Sequence, residues 1–288
     1  MSRRSPLSTR LDLLSNSFEE EVPLFKKVEL LSILIFDLLE IIHLLILFIA
    51  GIAVAFINTI SAAGSLVSLS AFMFCGLSSV EANATNRIPI IFQSYFSARG
   101  FKSKGIKSDS YKWWLAIACV PGAIVGALFA VKIPAEVFNK ILAGVMLLFL
   151  FITLVNPLKA TGEEKERVEL KHKITGLILY FFIGIYGGFI QAGSGFFLMA
   201  PALLLHRFGI SKTNYYKVSI TLIYTIAALA VFIWKGNISW YYGLVMSAGT
   251  SLGGWLTSRW SVTVDEVWMK RIMVSLILSL TVYVWFFK

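Results

Sequence analysis

The residues able to do chemistry sit in two short polar stretches at corresponding places in an apolar chain. The first, 56–65, carries Asn58, Thr59, Ser61, Gly64 and Ser65; the second, 187–195, carries Gln191, Gly193, Ser194 and Gly195. Both are small, polar and flexible where an ordinary membrane span would carry Leu or Val. Backbone that leaves a helix inside a membrane is tolerated only against protein or a water-filled cavity. Such a break leaves unpaired N–H groups at a half-helix start, with about half a positive charge, and that chemistry attracts anions. The same residues also fit small-residue packing between helices, but their polarity exceeds what packing needs.

A second cluster follows in each half. Glu81, Asn83, Thr85, Asn86 and Arg87 precede Pro89, and the matching stretch holds Asn214, Lys217, Ser219 and Thr221. An arginine about seven residues into an apolar segment costs roughly 2.5–3.5 kcal/mol in lipid. Arg87 is therefore expected to face a cavity, to pair with Glu81 or Asp37, or to snorkel outward. Pro89 cannot donate a hydrogen bond and disfavours helix before it, which opens backbone near Asn86 toward the site. Lys217, nearer a segment end, reads as a topological charge.

Other chemistries lack their residues. His43, His172 and His206 stand singly, without partners at metal-ligand spacing, so no metal or cofactor is expected. Ser194 lies between glycines but outside any G-x-S-x-G pattern, and no catalytic residue is assigned. Cys75 and Cys119 lie in apolar segments and do not read as a disulfide framework. No P-loop is present, so ATP-driven transport needs another subunit. The sequons at 83–85 and 237–239 read as intramembrane chance and as conditional on topology.

What must position these residues is a membrane-spanning scaffold. The 288 residues are 57% hydrophobic and 15% charged, with a mean hydropathy of +0.78; soluble domains carry about 25% charged residues. About ten apolar segments are predicted, at 42–60, 62–77, 80–98, 113–131, 136–156, 174–190, 194–208, 213–234, 239–258 and 267–287. Trp113, Trp114, Trp234 and Trp240 fall at segment ends, as interface anchors do. The segments at 62–77 and 194–208 are short: sixteen residues reach about 24 Å against a core of about 30 Å. Each is broken or re-entrant unless it crosses under strain. Ahead of the first span, Lys26, Glu29, Asp37 and Glu40 share one helical face, with Leu30, Leu31, Leu34 and Leu38 elsewhere. That reads either as an interfacial helix or as a first span that begins early. The N-terminal tail, with Arg3, Arg4, Arg10 and the acidic Glu19, Glu20 and Glu21, delays the first apolar stretch too long for a cleaved signal and is expected to be retained.

The chain repeats itself at about 131 residues. Gly64 falls on Gly195, Gly76 on Gly209 through a small gap, Lys104 and Gly105 on Lys235 and Gly236, and Glu136 and Val137 on Glu266 and Val267, with Lys140 near Lys270. The expected organisation is a tail and amphipathic helix (1–41), a first repeat (42–156), a charged linker (157–173) and a second repeat (174–288). If every segment crosses, loops 99–112, 157–173, 206–217 and 259–271 share one face and hold sixteen Lys and Arg. The other face holds Lys132 and Lys235. That bias marks the first face as cytoplasmic and accounts for the net charge of +10 without nucleic acid. The arginines of the tail and Lys26 and Lys27 fall on the disfavoured face. Five segments per repeat require the halves to be inverted. The fold class is thus all-α and polytopic, with two inverted five-segment repeats.

With these motifs in view, the chain resembles the TauE/SafE family of membrane permeases. Gly193-Ser194-Gly195 with Pro201-Ala202-Leu203 and Gly209 carries the pattern, repeated as Ala63-Gly64-Ser65 with Ser70 and Gly76-Leu77. Ala84-Thr85-Asn86-Arg87 is similar to the family's small-Thr-Asn-basic stretch. The first half departs from it, with Ala62 and Ala63 where Gly is commoner and Ser70 where Pro is. The resemblance covers 45–287 and implies export of small sulfur-containing anions, sulfite or organosulfonates, across the cytoplasmic membrane. Independently, an inside-negative potential drives each negative charge outward by about 2.3 kcal/mol per 100 mV, so an anion exporter needs no coupling ion. The expectation is a secondary transporter, multi-pass in the cell membrane, whose partners are the bilayer, a small inorganic or organosulfur anion and, as an option, further copies of itself. The anion would lie between the two polar breaks with Arg87 supplying charge, and one repeat would rock against the other. On this reading Arg87→Ala or Gly193→Leu stops uptake into inverted vesicles without unfolding the protein. An anion channel or a non-catalytic membrane subunit are the alternatives.

Overall fold

A computed structural model describes residues 24–61, 64–107, 109–155, 166–236 and 238–263. The chain divides into two compact units, Met1–Ile46 and Leu47–Lys288. The described part of the first is helical, with Leu31, Leu38 and Leu45 exposed. No side chain is described for Lys26, Leu30, Leu34 or Asp37, so the predicted amphipathic face lies largely outside the described residues. The helix does not stop between that stretch and the first span. α1 runs from Leu24 to Ser61.

In the second unit the order continues α2 (Gly64–Phe74), α3 (Ser79–Thr85), α4 (Arg87–Ser103), α5 (Tyr111–Ala130), α6 (Ala135–Val155), α7 (Leu170–Phe189), α8 (Ser194–Ala200), α9 (Ile210–Lys235) and α10 (Trp240–Ser261). Among the described residues every regular element is a helix. Among the described residues four stretches are long and apolar enough to cross a membrane: Glu40–Ile60, Tyr111–Ala130, Leu170–Phe189 and Ile210–Lys235. The tenth predicted segment, 267–287, lies outside the described residues, as do Ala62, Ala63, Asn237 and linker residues 157–165.

The surface is apolar and much of the polar inventory is inside. Ile117, Phe129, Phe182 and Leu256 are exposed, while Asn83, Asn86, Arg87, Gln93, Gln191 and Lys217 are buried. Water would select the reverse; lipid makes this arrangement cheap.

Both short segments stay short. α2 has 11 residues, reaching about 17 Å. α8 has seven and continues as a wider five-residue turn, Pro201–Leu205; Pro201 lacks the N–H a regular turn would use. Neither reaches across about 30 Å of hydrocarbon.

The predicted span 80–98 is interrupted at Asn86, between α3 and α4. Pro89, three residues on, leaves the Thr85 carbonyl without its helical donor.

Several backbone conformations recur at the predicted spacing. α4 and α9 both end on a left-handed glycine, Gly105 and Gly236. Ser78 before α3 and Gly209 before α9 share φ −61° and ψ 157°. After α2 the left-handed residue is Gly76, and after α8 it is Arg207. Gly76 therefore matches Arg207, not Gly209, and the spacing of 131 holds without a gap. Sequence comparison paired the two glycines because it could not see that an arginine takes the positive φ.

Packing crosses between the halves. α5 lies on α7 so closely that a β-carbon on Gly126 would sit 2.0 Å from the Ile185 carbonyl oxygen, and one on Gly188 2.1 Å from that of Ala123. α10 lies on α1 in the same manner: Gly249 abuts the Phe48 carbonyl and Gly51 that of Met246. Side chains any larger would separate these backbones. α4 packs on α10, α9 on α5, and α4 on α9. The fourth predicted segment of each half, α5 and α10, thus lies against helices of the other.

Two cations predicted in loops are helical and buried. Lys112 lies in the first turn of α5 and donates to the Tyr215 hydroxyl at 3.0 Å. Lys217 lies inside α9. Past α8, His206 donates from Nδ1 to the Arg167 carbonyl at 3.1 Å, and Lys212 pairs with Glu166 at 2.8 Å, fixing the described end of the linker. Residues 166–171 are otherwise exposed, and the last two already belong to α7.

Candidate anion site between two helix ends

The two polar stretches meet. α1 ends at Ser61 and α7 at Phe189, and the short helices α2 and α8 follow them. The Ser65 hydroxyl donates to the Gln191 carbonyl at 3.4 Å and accepts from the Gly193 N–H at 3.0 Å, joining the two breaks. Gly193 can take this position because its φ is +69°, a left-handed conformation that costs other residues about 1–2 kcal/mol. Gly64 lets α2 fold back on α1: a β-carbon there would lie 2.3 Å from the Val54 carbonyl oxygen.

A cavity opens beside this junction. Asn58 of α1, Ser65 of α2, Ile90, Gln93 and Ser94 of α4, Gln191, Ser194 and Gly195 of the second break, and Lys217, Val218 and Thr221 of α9 line it. About 30 Å³ is open to the centre of a water-sized sphere, against roughly 10–15 Å³ for one water. The space accepts a few waters or a compact headgroup. Its walls are mostly hydroxyls and amides with one cation.

That cation is Lys217, read from sequence as a topological charge. It is 3% exposed, and its Nζ donates to the carbonyls of Asn58 at 2.9 Å and Thr59 at 3.0 Å, with Met199 Sδ at 3.8 Å. These carbonyls belong to the last turn of α1, where helical partners run out and partial negative charge collects. Asn58 Nδ2 also donates to Gln93 Oε1 at 3.2 Å, and the Thr59 hydroxyl lies 3.5 Å from that of Ser97.

Arg87 treats the end of α7 similarly. Fully buried, it donates from Nη1 to the Gly187 carbonyl at 3.0 Å and Gln191 Oε1 at 3.3 Å, and from Nη2 to the Gly188 carbonyl at 2.5 Å. Asn83 adds a bond to the Phe189 carbonyl at 2.9 Å, and the guanidinium lies 4.5 Å from the Phe232 ring centre. Three of the orphan carbonyls of α7 are thereby satisfied. Arg87 does not line the cavity and does not pair with Glu81, contrary to those expectations; no side chain is described for Asp37. Its link to the cavity is Gln191, whose Nε2 also donates to Thr225 at 2.7 Å.

Of the other predicted residues, the Ser194 hydroxyl lies 2.9 Å from that of Tyr224. Thr85 accepts the Ser239 N–H at 3.0 Å, and Ser219 donates back to the Tyr215 carbonyl at 2.8 Å; neither lines the cavity. Asn86 is buried with neither side-chain polar atom bonded within the protein. The side chain of Ser61 is outside the described residues. Gln93 and Ser94 were missed as site residues; polar residues inside an apolar segment are the signal that marks them.

Apolar spans, inward polar groups and paired half-length helices around a cavity define a multi-pass α-helical membrane protein with a buried polar site. The family model described as Sulfite exporter TauE/SafE matches residues 47–284, and the chain belongs to that family of membrane transporters. Relatives include the "Probable membrane transporter protein ORF9" of Sinorhizobium sp, 26% identical over 83% of this chain and 92% of its own length. A "Probable membrane transporter protein" of Haemophilus influenzae is likewise 26% identical over 83% and 92%. The Escherichia coli "Probable membrane transporter protein YfcA" is 27% identical over 74% and 79%. No solved structure matches the chain.

Proposed function

We propose that the protein is a secondary transporter of the cell membrane that exports small sulfur-containing anions, sulfite or compact organosulfonates, through the cavity between the α1 and α7 ends. The observation that carries this reading is a small polar cavity, built from both halves, whose charged wall group is a cation. Neutral donors from Ser65, Ser94, Ser194 and Thr221 surround it, and the first turns of α2 and α8 open onto it. Oxyanions are recognised by such donors. The name of the matched family supports sulfite as the first substrate to try.

An inverted five-plus-five repeat accounts for the reciprocal packing, since a pseudo-two-fold axis makes the α5–α7 and α10–α1 contacts equivalent. The bodies that would rock are then not the two sequence repeats. Moving one repeat against the other would tear α5 from α7 and α10 from α1. The packing favours bodies made of α1, α4 and α10 and of α7, α9 and α5, sliding where α4 meets α9, beside the cavity. An inside-negative potential supplies about 2.3 kcal/mol per charge per 100 mV for outward anion movement.

The experiment is labelled-sulfite flux in proteoliposomes. Saturable uptake accelerated by sulfite on the opposite side supports a transporter; single-channel currents without counterflow indicate a channel; no sulfite or sulfonate flux removes the reading.

A further inference from the structure

We propose that Lys217, not Arg87, sets the charge of the transported species, and that the cavity holds one compact monoanionic headgroup against its ammonium. This deepens the transporter reading above and rests on it. The two buried cations differ in what they face. Each of Arg87's three bonds goes to the α7 end or to Gln191, and its guanidinium is stacked by Phe232 outside the cavity wall. Lys217 is in the wall. Two of its three protons go to carbonyls of α1; the other contact is the weak acceptor Met199 Sδ.

Among the described residues no carboxylate pairs with Lys217, and none lines the cavity. A buried ammonium with only carbonyl dipoles for company is incompletely compensated; an anion in the adjoining space supplies the missing charge. The remaining wall groups are Asn58, Gln93, Gln191 and the hydroxyls of Ser65, Ser94, Ser194 and Thr221. They donate or accept hydrogen bonds but add no second positive charge. One negative charge is matched and two are not. A dianion such as sulfate leaves one charge buried and unpaired, and a cationic tail would meet Lys217 with like charge. The substrate class is therefore a compact monoanion: hydrogen sulfite, or a small alkanesulfonate without an ammonium group.

The test uses the full-length protein in detergent, with methanesulfonate as monoanion and sulfate as dianion, titrated by calorimetry. The wild type should bind methanesulfonate at least ten-fold more tightly than sulfate; equal or reversed preference overturns the proposal without any variant. Lys217→Gln removes the charge and keeps a neutral amide donor, one bond shorter, on the side of the α1 carbonyls. It should lose at least ten-fold in methanesulfonate affinity with little change in ligand-free melting temperature. Arg87→Gln should lower that melting temperature and change affinity less than three-fold. A Lys217→Gln protein that binds as wild type, or an affinity loss confined to Arg87→Gln, contradicts the assignment. If the wild type binds no methanesulfonate and transports no sulfite, it is the transporter reading that has failed, and the assignment falls with it.

Discussion

The ends of α1 and α7 face the same problem and answer it with different cations. At each, a helix ends and the carbonyls of its last turns face a buried cation. At α7, Arg87 and Asn83 cover Gly187, Gly188 and Phe189. At α1, Lys217 covers Asn58 and Thr59. Lys217 stands 130 residues after Arg87, one short of the repeat spacing, and that single step on the helix separates a cation enclosed at a helix end from one in the cavity wall. A planar fork suits clamping adjacent carbonyls; a compact ammonium on a flexible stem suits sharing its charge between helix and ligand. Near-symmetry in sequence thus yields one cation bonded to a helix end away from the cavity and one in the cavity wall.

The sharpest way to break this comparison is Arg87→Ala. It strands the Gly187 and Gly188 carbonyls and Gln191, and should cost about 3–5 kcal/mol, since each bond to a charged donor contributes roughly 1.5–3 kcal/mol. The variant should give little folded protein by size-exclusion chromatography. This differs from the expectation drawn from the sequence, where Arg87 was a substrate ligand whose loss left folding intact. Next comes Lys217→Arg, which keeps the charge but forces a larger group toward a small cavity. Folded protein should be recovered normally, with sulfite flux reduced about ten-fold, in line with roughly 1–3 kcal/mol for overpacking.

Gly193→Leu should have a smaller effect on stability, about 1–2 kcal/mol for a side chain at positive φ, with a larger fall in flux because the second break shifts against Ser65. Thermal melts and vesicle uptake on the same preparation separate the two. The smallest effect lies away from both helix ends, at His206 in the loop after α8. Burial lowers its proton affinity, the Arg167 carbonyl opposing that in part, below the ordinary value of 6.5. The folded state then binds fewer protons than the unfolded one as pH falls below 6.5, so stability declines over that range, by at most about 1.4 kcal/mol per pH unit for one group. His206→Gln should flatten the acid limb of melting temperature against pH without changing sulfite affinity.

Much of this was legible in the residues. Apolar blocks marked the membrane helices, small polar lead-ins marked the two breaks, and Asn58, Ser65, Gln191, Ser194 and Gly195 do line one cavity. Hydropathy cannot say which way a side chain turns, however. Arg87 drew attention because it is deep in its segment, yet depth alone does not distinguish a helix-capping cation from a cavity cation. Lys217 escaped because it falls near the start of its predicted segment, 213–234, whereas α9 begins at Ile210 and carries Lys217 about two turns into the helix, where it is buried. The exchange of α5 and α10 between halves left no sequence signal beyond glycines at four-residue spacing, Gly122 and Gly126, Gly249 and Gly253. Such glycines fit many helix pairs equally well.

The central claim is that the cavity beside Lys217 carries the transported anion. Counterflow of labelled sulfite in proteoliposomes, comparing wild type with Lys217→Gln at equal amounts of folded protein, tests it most directly. The account predicts saturable counterflow for wild type and at least a ten-fold loss for the variant. Equal counterflow in both would contradict it.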